Sequence, residues 1–212
     1  MSVYFGQQRE PNRYFDKQFD REAVKILPGE YYATRRDQLL VTVVGSCVTA
    51  CLRDPVNGVV GINHFMLPEG EDNSPPVIAM PTRYGTHAME ALINDMIKLG
   101  AERRYLGAKV FGGGDILHSL SRINIGRRNV EFIRRYLDAE AIPLHANDTL
   151  GNMARKVYFF SDSGKVWVKR ISRVNNDTIV QRELEYRAHL YNRQMDGGVT
   201  LFSTDLEKEA VR

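Results

Sequence analysis

Apolar positions along the chain change period several times, and each change marks an element. Around residues 23–27 and 38–44 the runs in "AVKILPGEYYATRRDQLLVTVVGSC" are short and β-prone, separated by a Pro-Gly turn and polar residues. Two more such runs, Cys47 to Leu52 and Val59 to Met66, flank "DPVNG" at 54–58. There Pro55 fixes φ and Asn57-Gly58 tolerates positive φ, so the spacing predicts a β-hairpin. From Thr86 to Leu99 the period lengthens: Ala88, Met89, Leu92, Ile93, Met96 and Ile97 recur at three and four residues, which predicts an amphipathic helix stopped by Gly100.

"YLGAKVFGGG" then reads as a buried strand entering a glycine turn, and "NIGRRNVEFIRRYLDAEAI" as a second helix with Val130, Ile133 and Leu137 on one face and arginines opposite. "IPLHAND" is a short strand, and "ARKVYFFSDSGKVWVKRI" a hairpin turning at Asp162-Ser163-Gly164. Hairpins in a mixed sheet with two principal helices make the class α+β. Residues 1–20, rich in Arg, Asp, Gln and Asn, read as a flexible leader ahead of a domain at 21–172. Within 173–212, "TIVQRELEYRAHLYNRQM" predicts a charged helix packing Ile179, Leu184, Ala188 and Tyr191 on that domain, and "DGGVTLF" an extended piece docking by Val199, Leu201 and Phe202. "PEGEDNSPP" cannot continue a strand and is expected in solvent.

Composition narrows this picture without redirecting it. With 212 residues, 43% hydrophobic and 26% charged, the chain can bury roughly 70% of its unfolded surface and needs no disulfide or metal staple. A net charge of +3 from 29 basic and 26 acidic residues does not describe a nucleic-acid binder. No stretch approaches the ~20 apolar residues of a membrane span, and the amino terminus lacks the pattern of a signal peptide, so a cytoplasmic protein with no membrane insertion is expected. The arginines of 122–135 read as a solvated helix face.

Candidate chemistry centres on the predicted hairpin. Antiparallel partners have a constant sum of residue numbers, here expected at 111 to 115. Any odd sum puts Cys47 and His64 on one face, directly opposite at 111 and diagonal at 113. An imidazolium beside a thiol favours the thiolate, and the Gly45-Ser46 entry gives backbone amides, including that of Cys47, a path to a developing oxyanion. A buried cysteine is also commonly an inert small hydrophobe, so the residues alone leave both readings open. Cys51 reads as core packing. A disulfide between Cys47 and Cys51 is excluded if they share a strand, and C-x3-C lacks a second ligand pair for a metal. Asn63 falls on the opposite face from His64, and His87, His118, His145 and His189 read as surface or satisfied residues. "FGGGD" at 111–115 is either a tight turn or a wall of the site, with Gly112 and Gly113 as backbone candidates. It lacks the Lys-Ser/Thr of a phosphate loop.

"VTVVGSCVTACLRDPVNGVVGINHFMLP", followed in order by "FGGGDIL", "NIGRRNVEFI" and "ARKVYFFSDSGKVWVKRI", resembles the CheD family of chemoreceptor glutamine deamidases of bacterial chemotaxis. The similarity runs from about Tyr14 to Phe202. It implies a layered α/β sandwich and a cofactor-free cysteine hydrolase converting selected glutamine side chains of methyl-accepting receptors to glutamate, with methylesterase activity beside it. Carried over by motif, the nucleophile is Cys47, its partner His64 and the third, hydroxyl-bearing member Thr42. The resemblance further implies a place at the receptor array. An adaptor that binds receptors or a chemotaxis phosphatase partner, with catalysis secondary, stays open as a second role.

Overall fold

The hairpin forms where the turn chemistry places it. In the computed structural model, which describes residues 2–4, 7–67, 80–116, 124–171 and 177–196, strand β7 (Val48–Asp54) returns as β8 (Val59–Asn63). Asp54 closes the turn: its Oδ1 accepts from the amides of Val56 and Asn57, and its Oδ2 from Asn57 Nδ2 and the amide of Glu102. Burial works against the charge, but these bonds outweigh it and hold the carboxyl below its usual range.

The other strands are β1 (Ser2–Tyr4), β2 (Gln7–Arg9), β3 (Asn12–Asp16), β4 (Arg21–Lys25), β5 (Glu30–Thr34), β6 (Leu39–Val44), β9 (Gly107–Gly112), β10 (Leu144–Thr149), β11 (Ala154–Phe160) and β12 (Val166–Ile171). The helices are α1 (Met80–Lys98), α2 (Ile125–Ala139) and α3 (Asp177–Asp196). One sheet has the order β10-β9-β7-β8-β5-β1-β2 and the other β12-β11-β6-β4-β3. Pairing is antiparallel except for β9 with β10 and β4 with β6.

Alternation along β7 builds the layers. Val48, Ala50 and Leu52 face α1 and α2, where they meet Met89, Leu92, Ile93, Met96 and Ile133. Cys47 and Cys51 face the second sheet, in a core with Val24, Leu40, Val44, Ile62, Val157 and Phe159. The result is a sheet–sheet–helix sandwich, an α+β fold. Each fully buried Leu, Ile, Phe or Met contributes about 1.5–3 kcal/mol, and the large side chains of both cores are fully enclosed.

Three elements differ from the sequence expectation. The stretch read as a loose leader carries β1, β2 and β3, and β3 pairs with β4 from Asn12↔Lys25 to Asp16↔Arg21. As an edge strand it has one solvated face, which gives it the polar composition of a loop. The polar stretch between the runs at 23–27 and 38–44 contains β5, whose pairing with β8 is non-local. Helix α1 begins at Met80, ahead of the first core-facing residue, and ends as expected at Gly100, whose φ of 96° lets the amide of Ala101 reach Met96 O at 3.0 Å. "PEGEDNSPP" and "DGGVTLF" lie outside the described residues apart from Asp196.

Candidate active site

The register of β7 and β8 decides whether the cysteine and histidine meet. Cys51 pairs with Ile62 and Leu52 with Gly61, a sum of 113, and the isolated bridge of Val48 with Phe65 continues it past the strand end. Cys47 and His64 are therefore diagonal neighbours on the inter-sheet face. Sγ of Cys47, a ring nitrogen of His64 and a carboxylate oxygen of Glu183 all lie within 4.8 Å of one another. All three residues are buried.

His64 is fixed at both ends. Its amide donates to Glu30 O at 2.9 Å and its carbonyl accepts from the amide of Gly29 at 2.7 Å. On the ring, Nδ1 lies 2.8 Å from Thr42 Oγ1, which itself donates to Ile26 O at 2.8 Å. A hydroxyl has one proton, so Thr42 spends it on Ile26 and must accept from His64. Nδ1 then carries the ring proton and Nε2 carries the lone pair. Nε2 is buried and has no hydrogen-bond partner among the described residues. Thr42 faces the ring because β6, in the opposite sheet, is held by β11 through Val157↔Thr42.

The loop Gly45–Cys47 is polarised across its width. Its carbonyls are tied to the scaffold behind: Gly45 O accepts from the amide of Gly114 at 2.6 Å, Ser46 O from Asn129 Nδ2 at 2.8 Å, and Cys47 O from the amide of Gly113 at 2.7 Å. Its amides point the other way. In "FGGGD", Gly113 donates its amide to Cys47 O, so this stretch braces the loop from the rear and that amide is not open to an oxyanion. Gly112 has a φ of 109°, and a Cβ there would come within 2.2 Å of Cys47 O. Any side chain would push the loop forward.

The amides of Gly45, Ser46 and Cys47 converge on one acceptor. Glu183 of α3 takes Gly45 N at 2.8 Å and Cys47 N at 3.1 Å on Oε1, and Ser46 N at 2.9 Å and Ser46 Oγ at 2.6 Å on Oε2. A Cβ on Gly45 would lie 2.1 Å from Ile116 Cδ1 and 3.0 Å from Glu183 Oε1, so a side chain there would displace the end of Ile116 and press on the carboxylate. Burial, the charge of Glu183 and a hydrogen bond to it push the Cys47 thiol well above its usual pKa. Burial lowers that of His64 to about 3. The thiolate–imidazolium pair expected from the sequence is therefore not the form this arrangement favours: with α3 seated, both groups are neutral, because neither charge is solvated and the nearest fixed charge repels a thiolate.

The predicted catalytic residues are thus gathered in one place: Thr42 is hydrogen-bonded to His64, Cys47 Sγ lies within 4.8 Å of a His64 ring nitrogen, and the amides of Gly45 and Ser46 stand beside them. Asn63 faces α1, accepting from the amide of Ala50. Cys47 and Cys51 are both free thiols. His87 and His145 are exposed, and His118 lies outside the described residues. Two residues were missed. Asn129, fully buried on α2, donates to Ser46 O and accepts from the amide of Leu67 at 2.9 Å, tying the loop to the segment after His64. Glu183 belongs to an inward stripe of Ile179, Glu183, Tyr186 and Leu190, rotated from the predicted one; Leu184 is only half-buried and Ala188 exposed. In both cases the available signal was a polar residue at a helical interval within an apolar stripe.

Cys47, His64 and Glu183 are also the described residues whose donor types and spacing could hold a metal ion. Both oxygens of Glu183 are already filled by four loop donors, which accounts for its position without one. A cavity of about 440 Å³ runs beside the trio, lined by Tyr14, Lys25, Thr42, His64, Lys156 and Arg182 among others. Among the described residues no helix is long and apolar enough to cross a membrane.

Comparison with known proteins places the chain in a family. A family profile described as "CheD chemotactic sensory transduction" matches residues 66–170. A protein of Laribacter hongkongensis named "Probable chemoreceptor glutamine deamidase CheD" is 56% identical over 189 residues, covering 89% of this chain and 92% of its own. Proteins of the same name from Janthinobacterium sp. and Herminiimonas arsenicoxydans are 53% and 51% identical, over 91% and 96% of this chain and 95% and 100% of theirs. A solved structure, the Bacillus licheniformis hypothetical protein YfiH, matches 57% of this chain and 51% of its own at 17% identity with a TM-score of 0.38, too loose a likeness to argue from. With relatives this similar along nearly its whole length, the chain belongs to the CheD family.

Proposed function

We propose that the protein is a cysteine-dependent deamidase that converts glutamine side chains of methyl-accepting chemotaxis receptors to glutamate, acting in the cytoplasm at the receptor array. The reading is supported by one observation above the others: a buried cysteine, a tautomer-fixed histidine and three convergent amides share a single site in a chain whose relatives carry the deamidase name.

The chemistry follows from the groups. His64 Nε2, the nitrogen with the free lone pair, takes the thiol proton as Cys47 Sγ attacks the carboxamide carbon. The oxygen of the tetrahedral adduct gains negative charge where the amides of Gly45, Ser46 and Cys47 converge, and each such donor is worth about 10² to 10³ in rate. The imidazolium returns its proton to nitrogen, the C–N bond breaks, and ammonia leaves a thioester on Cys47. His64 then takes a proton from water, whose oxygen replaces sulfur at the acyl carbon, giving glutamate and free thiol. Thr42 keeps the reactive lone pair on Nε2 throughout. A methyl glutamate presents the same acyl carbon with methanol as leaving group, so methylesterase activity belongs to the same site. Each deamidation adds one negative charge to a receptor helix, and like charges on neighbouring helices repel.

The test is mass spectrometry of a purified receptor fragment incubated with the protein. Selected glutamines gain about one dalton with the wild type and none with Cys47→Ala. Gain of mass with Cys47→Ala would remove the cysteine from the mechanism.

A further inference from the structure

The carboxylate in the loop has no part in that mechanism, and its placement is costly. Glu183 is 2% exposed, and removing a charge from water is unfavourable unless it is paired or hydrogen-bonded. An apolar side chain would dock α3 on the inter-sheet core more simply. Instead the helix inserts a glutamate whose two oxygens take every donor that the loop offers forward. The chemical identity of the group matters as much as its position: a glutamate side chain projecting from a helix is what deamidation of a helical glutamine leaves behind.

We propose that α3 is an internal mimic of the product complex. Glu183 stands where the newly formed receptor glutamate stands, so the groove under α3 is the seat of the substrate helix, and α3 must leave before turnover. This rests on the deamidase reading and adds to it the shape of the substrate. The side chains that α3 buries are Ile179, Glu183, Tyr186 and Leu190, at intervals of four, three and four residues, while Gln181, Arg182 and Glu185 are exposed. A substrate segment that fits the same seat is an α-helix with an aliphatic residue four positions before the reactive glutamine, an aromatic three after it and a leucine seven after it. The aromatic position is specific, since Tyr186 Oη lies 2.6 Å from Tyr84 Oη on α1. The cavity beside Ile179 and Glu183 keeps Lys25 and Lys156 on its wall when α3 leaves, which suits acidic residues on the flank of such a helix.

The same contact silences the nucleophile twice over. It occupies the amides that would receive the oxyanion, and its charge opposes formation of a thiolate at Cys47. Tethering raises the competitor's effective concentration to about the millimolar range, so a free peptide competes poorly, whereas receptor helices packed in an array are themselves concentrated.

The first experiment uses the intact chain carrying Glu183→Gln, which places a carboxamide in the seat. The peptide spanning residue 183 gains about one dalton when Cys47 is present and does not in the Cys47→Ala background. Absence of that gain in a preparation that still deamidates receptor fragments overturns the mimic while leaving the proposed activity standing. The second experiment reads α3 as a cover, without reference to deamidation. Alkylation of Cys47 by iodoacetamide, followed at that residue by peptide mapping, accelerates about tenfold or more in Glu183→Ala and in Tyr186→Ala, because each loses part of the docking. Unchanged alkylation in both overturns the proposal. Accelerated alkylation with no deamidation of either residue 183 or the receptor overturns it as well, by removing the reaction whose product α3 would imitate.

Discussion

Two helices reach the loop Gly45–Cys47 with one polar side chain each, from opposite sides and to opposite ends of the peptide group. Helix α2 sends Asn129, a neutral amide, to the carbonyl of Ser46. Helix α3 sends Glu183, a charge, to the amides of Gly45, Ser46 and Cys47. The carbonyl side faces the scaffold and needs a partner in every state of the protein. The amide side faces the groove and needs one only while the groove is filled. The difference separates what builds the site from what visits it, and it can be read from which backbone atoms each helix addresses.

That comparison makes its largest prediction about stability. Asn129→Ala leaves Ser46 O and the amide of Leu67 buried without partners, at about 1–3 kcal/mol for each orphaned group, so urea unfolding should show a loss of about 2–6 kcal/mol. Glu183→Ala frees amides toward the groove and loses part of the α3 docking, so the same measurement should fall by only about 1.5 kcal/mol, the equivalent of a tenfold opening of the groove. Equal losses would mean that both helices are scaffold.

Next in size is the effect on rate of the third side chain that orders the site. Thr42→Val removes the acceptor that holds the proton on His64 Nδ1, and deamidation should fall about ten- to a hundredfold with the fold retained, while Thr42→Ser recovers most of it. A wild-type rate in Thr42→Val would take the tautomer argument away. The smallest effect concerns acid. A folded-state pKa of about 3 keeps His64 neutral while the imidazole of the unfolded chain binds a proton below about 6.5. The unfolded state then holds more protons, so stability falls as pH drops from 6.5 toward 3. The melting temperature of His64→Gln should fall less than that of wild type between pH 7 and 5, and parallel curves would contradict the neutral buried ring.

The sequence makes the hairpin legible because everything that sets it is local: "DPVNG" fixes the turn, the turn fixes an odd register, and the register brings Cys47 and His64 to one face. Helices α1 and α2 were visible for the same reason, through the period of Met89, Leu92, Ile93 and Met96 and of Val130, Ile133 and Leu137. Pairing across long separations leaves no such trace. Strand β5 joins β8 some thirty residues away, and β4 runs parallel to β6, so neither is announced by its own composition. Thr42 could be assigned through resemblance, but its contact with His64 depends on two different sheets meeting. Asn129 and Glu183 were hidden by an averaging habit: each interrupts an apolar stripe, and a pattern search passes over an interruption as noise. In this molecule the interruptions are where the helices touch the chemistry.

The rear anchoring of Gly45 O, Ser46 O and Cys47 O has one more consequence. Peptide planes clamped on their oxygen side cannot rotate, so the three dipoles keep their direction whatever guest arrives. An electrostatic trap that never relaxes binds a finished carboxylate as readily as it steadies a fleeting oxygen anion. In the reaction proposed above, the finished acid therefore leaves against the same three dipoles that hold Glu183, and whatever loosens a helix from the groove also eases its release.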